Sequence, residues 1–261
     1  MNQSVLPNMD FSAYVDSGRF SRPGRLRVLD QLTRLQTERL RVSRAVERGQ
    51  RVAARILGRG TIAINRNMAL EVPSWRTLES IRSSGTVGQL AVSLPNNTIV
   101  MENGLRMTSI WHFDGLDPEV RLVLSAEGPE AYFFGYAPVP IKIIDDAEVF
   151  LDGPTIRGEP TVIAVRDTAC LDAARGYWEA VRSTMYPCAA EAPAVDGLSE
   201  RQRRVVTLML TCPSDEQIAQ RLGVSVRTVR TEVAAVLDLL DAPTRFVAGV
   251  RLREYLNAVT A

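Results

Sequence analysis

A short polar segment near the carboxyl end of the chain has the residue types that contact nucleic acid. Five such side chains lie close together: Ser225, Arg227, Thr228, Arg230 and Thr231. Arginine and threonine side chains bind phosphate oxygens and the base edges of the DNA major groove. Valine and leucine recur at helical spacing among and beyond them, so we expect a helix with one apolar and one polar face. The pattern indicates a DNA-reading helix.

Residues for common catalytic chemistries are scarce. His112 is the only histidine and Lys142 is the only lysine, and they are far apart in the sequence. No nucleophilic serine elbow, phosphate-binding loop or dinucleotide fingerprint occurs. We therefore expect His112 to be a structural or ligand-contacting residue rather than a general base. Neither catalytic activity nor a cofactor is expected.

The cysteines and the amino-terminal residues indicate in which cellular compartment the protein is expected. Cys170, Cys188 and Cys212 lack the spacing of a metal site or a disulfide framework, and are typical of reduced thiols in a cytosol. The first twenty residues do not have the pattern of a signal peptide, and no apolar stretch is long enough to cross a membrane. A cytoplasmic protein without a metal is expected. All but one of its 31 basic residues are arginine, which favours a GC-rich genome such as an actinobacterial one.

Helix start and stop signals surround the polar segment. Ser199 with Gln202, and Ser214 with Gln217, have the spacing of two capping boxes. Gly223 follows the second helical pattern, at the place where a helix end favours a left-handed residue. The polar segment then begins a third helix. This order is typical of a helix-turn-helix, whose second helix enters the DNA major groove, so regulation of transcription is the expected function.

The same stretch resembles the LuxR/NarL-type helix-turn-helix. The matching residues are Leu198-Ser199, Glu200, Val205, Gln217-Ile218-Ala219, Arg221-Leu222-Gly223-Val224-Ser225, Arg227-Thr228-Val229-Arg230, Val236, Leu240 and Arg245. The resemblance implies binding of promoter DNA by a homodimer, commonly through the fourth helix, here 243–258. It also adds Arg245 to the expected DNA contacts of the polar segment.

Charge leaves a second function open. Three positions depart from the family pattern, at Glu232, Leu239 and Asp241. Residues 198–256 hold nine arginines and seven acidic residues, and a net charge of +2 offers little of the phosphate neutralisation that drives non-specific DNA binding. The alternative is a protein-interaction and dimerisation module of a regulatory complex, with weak or no autonomous DNA binding.

A strongly basic segment lies near the amino terminus. Residues 19–59 hold twelve arginines and three acidic residues, whereas residues 60–197 hold ten basic and eighteen acidic residues. Within 25–57 an apolar seam predicts one long helix. The seam is Val28, Leu32, Leu35, Val42, Val46, Ala53 and Ile56. We expect this helix to pack on a partner helix or on the domain behind it, with its arginines either solvated beside the seam or in contact with DNA.

The middle of the chain predicts a mixed α/β fold, a sheet flanked by helices. Strands are expected at 90–94, 97–100, 105–111, 120–125, 131–136, 140–145, 147–151 and 161–165, and helices at 76–84 and 169–185. Asp145-Asp146 is expected as a hairpin turn. The run Ile143-Ile144-Asp145-Asp146 also imitates the acid pair of a receiver domain, but too few residues follow it for that fold. Phosphorylation control is therefore not expected.

Residues 59–188 are similar to the phospholipase D-like domain of TrmB-type and actinobacterial regulators. The similarity includes the hairpin VPIKIIDDAEVFLDGP and the helix end YWEAVRSTMYP. Phospholipase D chemistry needs histidine nucleophiles and paired lysines, so the resemblance implies a catalytically inactive sensor. Trp111, His112, Phe134 and Tyr136 are candidate ligand contacts, with a place in the core as their alternative. A small-molecule sensor and a dimerisation or partner platform both remain open.

Five segments follow from these patterns. A flexible tail is expected at 1–24, the basic helix at 25–58, the α/β domain at 59–188, a linker at 189–196 and the helix-turn-helix domain at 197–261.

Overall fold

The computed structural model describes residues 18–191, 198–212 and 214–260. Its helices are α1 (Arg22–Glu47), α2 (Gly60–Glu71), α3 (Val87–Glu102), α4 (Pro118–Ser125), α5 (Thr168–Arg182), α6 (Glu200–Thr211), α7 (Asp215–Leu222), α8 (Val226–Leu239) and α9 (Arg245–Thr260). Its strands are β1 (Ala54–Arg59), β2 (Thr77–Arg82), β3 (Arg106–His112), β4 (Tyr132–Gly135), β5 (Ile141–Ile144), β6 (Glu148–Asp152), β7 (Thr161–Val165) and β8 (Tyr186–Pro187).

Within these residues, eight strands form one mixed sheet in the order β1-β7-β6-β5-β2-β3-β4-β8. Strands β2, β3 and β4 run parallel and are joined through α3 and α4, whereas the other neighbouring pairs are antiparallel. Helix α5 packs on β5 and β6, and α2 packs on β1 and β7. A mixed sheet flanked by helices, with a long helix before it and a helical domain after it, confirms the predicted fold class.

The basic helix α1 lies against its own α/β domain. Its buried apolar residues face α5, which runs along it. The helix ends at Glu47, ten residues before the predicted end, and the last two seam positions lie in or beside β1 instead. Gly49 has φ 63°, and the backbone N–H groups of Gly49 and Gln50 donate to the carbonyls of Val46 and Ala45. This Schellman motif stops the helix, and the predicted range was wrong because it placed that glycine inside the helix instead of at its end.

The parallel half of the sheet differs most from the sequence expectation. Residues 90–94 and 97–100 belong to helix α3 and residues 120–125 to helix α4, where strands were predicted. Residues 77–82 form strand β2, where a helix was predicted. Short apolar runs fit a buried helix or a buried strand equally well by periodicity. The capping box of Thr86 and Gln89, which starts α3, is the local signal that distinguishes the two.

The predicted hairpin of β5 and β6 is confirmed, with Asp145 and Asp146 at its turn. Both residues have φ 52°, a left-handed conformation that is typical of hairpin turns and that aspartate tolerates. One oxygen of the Asp145 carboxylate accepts hydrogen bonds of 2.8 Å from the backbone N–H groups of Arg76 and Thr77. The acid pair therefore fixes the hairpin to the start of β2.

The helix-turn-helix domain packs directly on the α/β domain. Helices α3 and α4 contact α6, and α4 also contacts α9. Leu122 of α4 is buried in one cluster with Val206 of α6, Val236 of α8 and Leu252 of α9. None of the helices in the described ranges is long and apolar enough to cross a bilayer.

Replacement of Asp145 tests the hairpin anchor. Asp145→Ala removes the acceptor of two backbone donors and leaves a left-handed residue without local support. We expect the free energy of unfolding, measured by urea denaturation, to fall by about 1–3 kcal/mol. Asp145→Asn keeps an acceptor oxygen and tolerates the same φ, so its loss should be clearly smaller. Equal losses would contradict the role given to the acceptor.

Candidate nucleic-acid interface

Local side-chain hydrogen bonds start each helix of the C-terminal domain. Ser199 caps α6 in a complete capping box with Gln202, at 3.2 and 2.8 Å. Ser214 caps α7 by accepting from the backbone N–H of Gln217 at 3.4 Å. Between α7 and α8, Gly223 adopts φ 64°, which glycine allows without a steric cost. The turn of the helix-turn-helix is therefore specified by local sequence.

An apolar cluster holds α6, α7 and α8 together. Val205 of α6, Ile218 of α7 and Val229 of α8 are fully buried, with Val233 and Cys212 beside them. Burial of each such side chain contributes about 1.5–3 kcal/mol. Since these residues occupy one face of α8, the polar residues between them must face outward.

The outward face of α8 presents three of the predicted DNA contacts. Arg227, Arg230 and Thr231 are exposed. The Arg227 guanidinium makes no hydrogen bond or ion pair with any described residue, whereas the Thr231 hydroxyl donates to the Arg227 carbonyl at 3.1 Å. Ser225 is the cap of α8: its hydroxyl accepts from the Thr228 backbone N–H at 3.1 Å and lies 2.9 Å from the Thr228 hydroxyl. Ser225 and Thr228 thus have structural partners already.

Asp215, which the sequence analysis did not single out, joins three helices. Its carboxylate at the start of α7 accepts from Arg245 of α9 at 2.6 Å and from Arg230 of α8 at 3.4 Å. Glu216 lies 4.0 Å from Arg230 as well. The hydrogen bond from Arg245, with Arg230 beside it, holds the pKa of Asp215 below its ordinary value. Arg245, a predicted DNA contact, is thereby bound to its own domain.

The three residues that depart from the LuxR/NarL pattern have different surroundings in the structure. Glu232 is half-buried and lies 3.8 Å from Arg201 of α6, so its charge is directed toward a neighbouring helix. Asp241 stands at φ 50°, where glycine is favoured, and accepts from Arg251 at 2.9 Å. Leu239 is 46% exposed at the end of α8. The acid in the recognition helix is thus partly neutralised away from the exposed face.

The four candidate ligand contacts of the middle domain are all buried. Trp111 and His112 are 2% exposed, and Phe134 and Tyr136 are fully buried. The His112 and Tyr136 rings meet edge-on with centroids 5.4 Å apart, and His112 Nδ1 accepts from the Ala137 backbone N–H at 3.1 Å. Burial lowers the pKa of His112. These contacts are those of core residues, and a ligand-binding role for the four stays a prediction.

Comparisons with known proteins give one family match, in the C-terminal domain, and a structural similarity over a larger part of the chain. Residues 194–239 match the family described as Sigma-70, region 4, and within the described residues this range spans α6, α7 and α8. A solved structure of TrmBL2, an archaeal chromatin protein with a novel mode of DNA binding, aligns with 61% of this chain at 13% identity and a TM-score of 0.38. The alignment covers 63% of the TrmBL2 chain. No curated protein matches this chain. The C-terminal domain is a helix-turn-helix of the DNA-binding class.

Proposed function

We propose that this protein is a transcriptional regulator that binds promoter DNA as a homodimer through a LuxR-type helix-turn-helix. The exposed polar face of α8 carries the proposal, because Arg227 is free to contact DNA and Arg230 and Thr231 lie beside it. A recognition helix places such side chains against base edges and phosphates in the major groove. In this proposal the α/β domain senses a ligand or a partner.

Exposed apolar residues on α9 support the homodimer. Phe246 is 81% exposed and Val250 is 45% exposed, and residues four positions apart share one helix face. Phe246 and Gly249 also line a cavity of about 310 Å³ between α6, α8 and α9. A second copy of the same surface would cover these side chains, and two recognition helices would then contact two half-sites.

The proposal assigns no catalytic step to the α/β domain. His112 lies three positions after Ser109 on β3, whereas Lys142 is in register with that serine through Ser80. Successive residues of a strand point to opposite faces, so His112 and Lys142 lie on opposite faces of the sheet. One reacting group could not meet both side chains.

The alternative function, an interaction module with weak DNA binding, also has a supporting observation. Arg230 and Arg245 both form ion pairs with Asp215, and fewer free cations mean weaker phosphate binding. Selection of random DNA fragments by the purified full-length protein, at stated salt, separates the two. Enrichment of a two-fold symmetric sequence supports the regulator, and a stable dimer that enriches no sequence supports the alternative.

Arg227 and Arg230 give the first test of the DNA-binding face. We expect Arg227→Ala and Arg230→Ala each to weaken binding to the selected DNA by about 1–3 kcal/mol, the range of a bidentate base contact. A gel-shift titration at fixed salt measures this loss. Arg106→Ala removes an exposed arginine from the start of β3 and should leave the affinity unchanged. Wild-type affinity in Arg227→Ala would remove that residue from the interface.

Asp215 gives a pH-dependent test of the arrangement that presents α8. Asp215→Asn should lower the free energy of unfolding by about 1 kcal/mol near neutral pH. Because the folded-state pKa is lowered, ionised Asp215 stabilises the fold above its unfolded pKa of ~3.9, and the contribution is lost as pH falls through the folded pKa. Urea denaturation across pH should therefore show wild type and variant converging in acid. A difference that persists in strong acid would contradict the assignment.

Phe246 gives a test of the dimer. Phe246→Glu places a charge on the exposed face of α9, and we expect sedimentation velocity to show a monomer with weakened DNA binding. Val92→Glu is the matched control, because Val92 is 67% exposed on α3, away from α9. A dimer that survives Phe246→Glu would exclude this face as the interface.

A further inference from the structure

Three polar side chains lie side by side at the centre of one sheet face. Ser80 on β2 is in register with Ser109 on β3 and with Lys142 on β5. The two serine hydroxyls are buried and 3.0 Å apart. Because partner residues on neighbouring strands point to the same face, Lys142 stands next to this hydroxyl pair.

Two further hydrogen-bond donors occupy the next row of the same face. Arg82 is in register with Trp111, and its guanidinium lies 4.8 Å from the centre of the indole ring. Trp111 is 2% exposed, and its indole Nε1 is buried without a hydrogen-bond partner among the described residues. A buried donor that lacks an acceptor is unfavourable. Trp111 shares its row with Arg82, and Lys142 lies in the adjacent row.

Neither cation has a counter-charge. Lys142 and Arg82 make no ion pair and no side-chain hydrogen bond with any described residue. Glu148, on the neighbouring strand β6, is bound instead by Arg55 at 3.4 Å and by Arg166 at 3.1 Å. The centre of this sheet face therefore holds two positive charges close together and no carboxylate to neutralise them.

The proximity and burial of these cations affect their titration. Burial, together with the positive charge of Arg82, lowers the pKa of Lys142 to about 8. Burial also lowers the pKa of Arg82. Removing a charge from water is unfavourable unless an opposite charge meets it, so both groups would be stabilised by an anion.

A small cavity gives access to Lys142. It measures about 90 Å³ and is lined by Lys142, by Met68 of α2 and by Phe150, Asp152 and Val162 of the sheet. At ~30 Å³ per water molecule, this volume holds about three waters or one small oxyanion. Asp152, which also lines this cavity, is exposed and forms no ion pair with Lys142 among the described residues. Its carboxylate therefore does not neutralise the Lys142 amine.

We propose that this face of the sheet binds a small oxyanion, the phosphate of a free ion or of a phosphorylated metabolite, at Lys142 in this cavity, with the positive charge of Arg82 close by. Lysine and arginine are the cations that bind phosphate. The regulatory meaning of the site rests on the proposed function, because it would make a phosphate-bearing compound the effector of the α/β domain. Binding itself is independent of DNA.

Thermal unfolding without DNA tests the site. The wild-type protein should melt at a higher temperature in inorganic phosphate than in chloride of equal ionic strength. Lys142→Met should melt in chloride no lower than wild type, since an unneutralised charge is gone, and should lose the rise in phosphate. Arg106→Met removes an exposed cation from the opposite face of the same sheet and should keep that rise. No rise in wild type, or a full rise in Lys142→Met, would overturn the proposal.

The single lysine permits a second test that needs no variant. Growth with ¹³C-labelled lysine labels Lys142 alone, so its ¹³Cε signal reports its titration directly. We expect a midpoint near pH 8 in chloride and a midpoint shifted to higher pH in phosphate, because the anion stabilises the charged amine. A midpoint that phosphate leaves unchanged would overturn the proposal, whatever the DNA selection shows. Failure of that selection with a phosphate-dependent shift would overturn only the regulatory role.

Discussion

The apolar cluster that joins α6, α7 and α8 decides which side chains of α8 remain exposed. Val229 and Val233 fix the rotation of α8 about its axis, because both must be buried against Val205 and Ile218. With that rotation set, Arg227 and Thr231 can only face outward. The packing therefore decides which charged side chains the surface of α8 presents. A substitution in the cluster would alter this surface even if every polar residue stayed the same.

The positions of the charged residues around this cluster matter more than the net charge of the domain. The net charge of the domain is small, yet Glu232 faces Arg201 and Asp215 faces Arg245. The acids thus occupy positions between helices, where they orient the domain. As a consequence, Asp215 competes with a DNA phosphate for the guanidinium of Arg230. An ion pair of this kind reduces the positive charge that is available for non-specific attraction to phosphates.

The sequence could predict the features that depend on neighbouring residues, and not those that depend on tertiary packing. The caps at Ser199 and Ser225 and the turn at Gly223 are local, and the hairpin of Asp145 and Asp146 is local as well. Strand β2 was predicted as a helix, and helices α3 and α4 as strands, because their short apolar runs have no distinguishing period; β3 and β4 were predicted correctly. The row of Ser80, Ser109 and Lys142 could not be foreseen, since three strands distant in sequence must pair before these residues meet. Asp215 is an intermediate case: an acid in the first turn of α7 was visible, but its partners on α8 and α9 were not.

Helix α4 joins the two domains by packing into the apolar core of each. Val120, Val123 and Leu124 are buried in the core of the α/β domain, while Leu122, on the same short helix, is buried in the cluster with α6, α8 and α9. The chain reaches α4 from β3 through a single 3-10 turn, so the strand that carries Trp111 is covalently close to it. A packed interior transmits displacement rather than absorbing it. A shift of β3 on binding at the sheet would therefore be felt at Leu122, and so at the helices that set the position of α8.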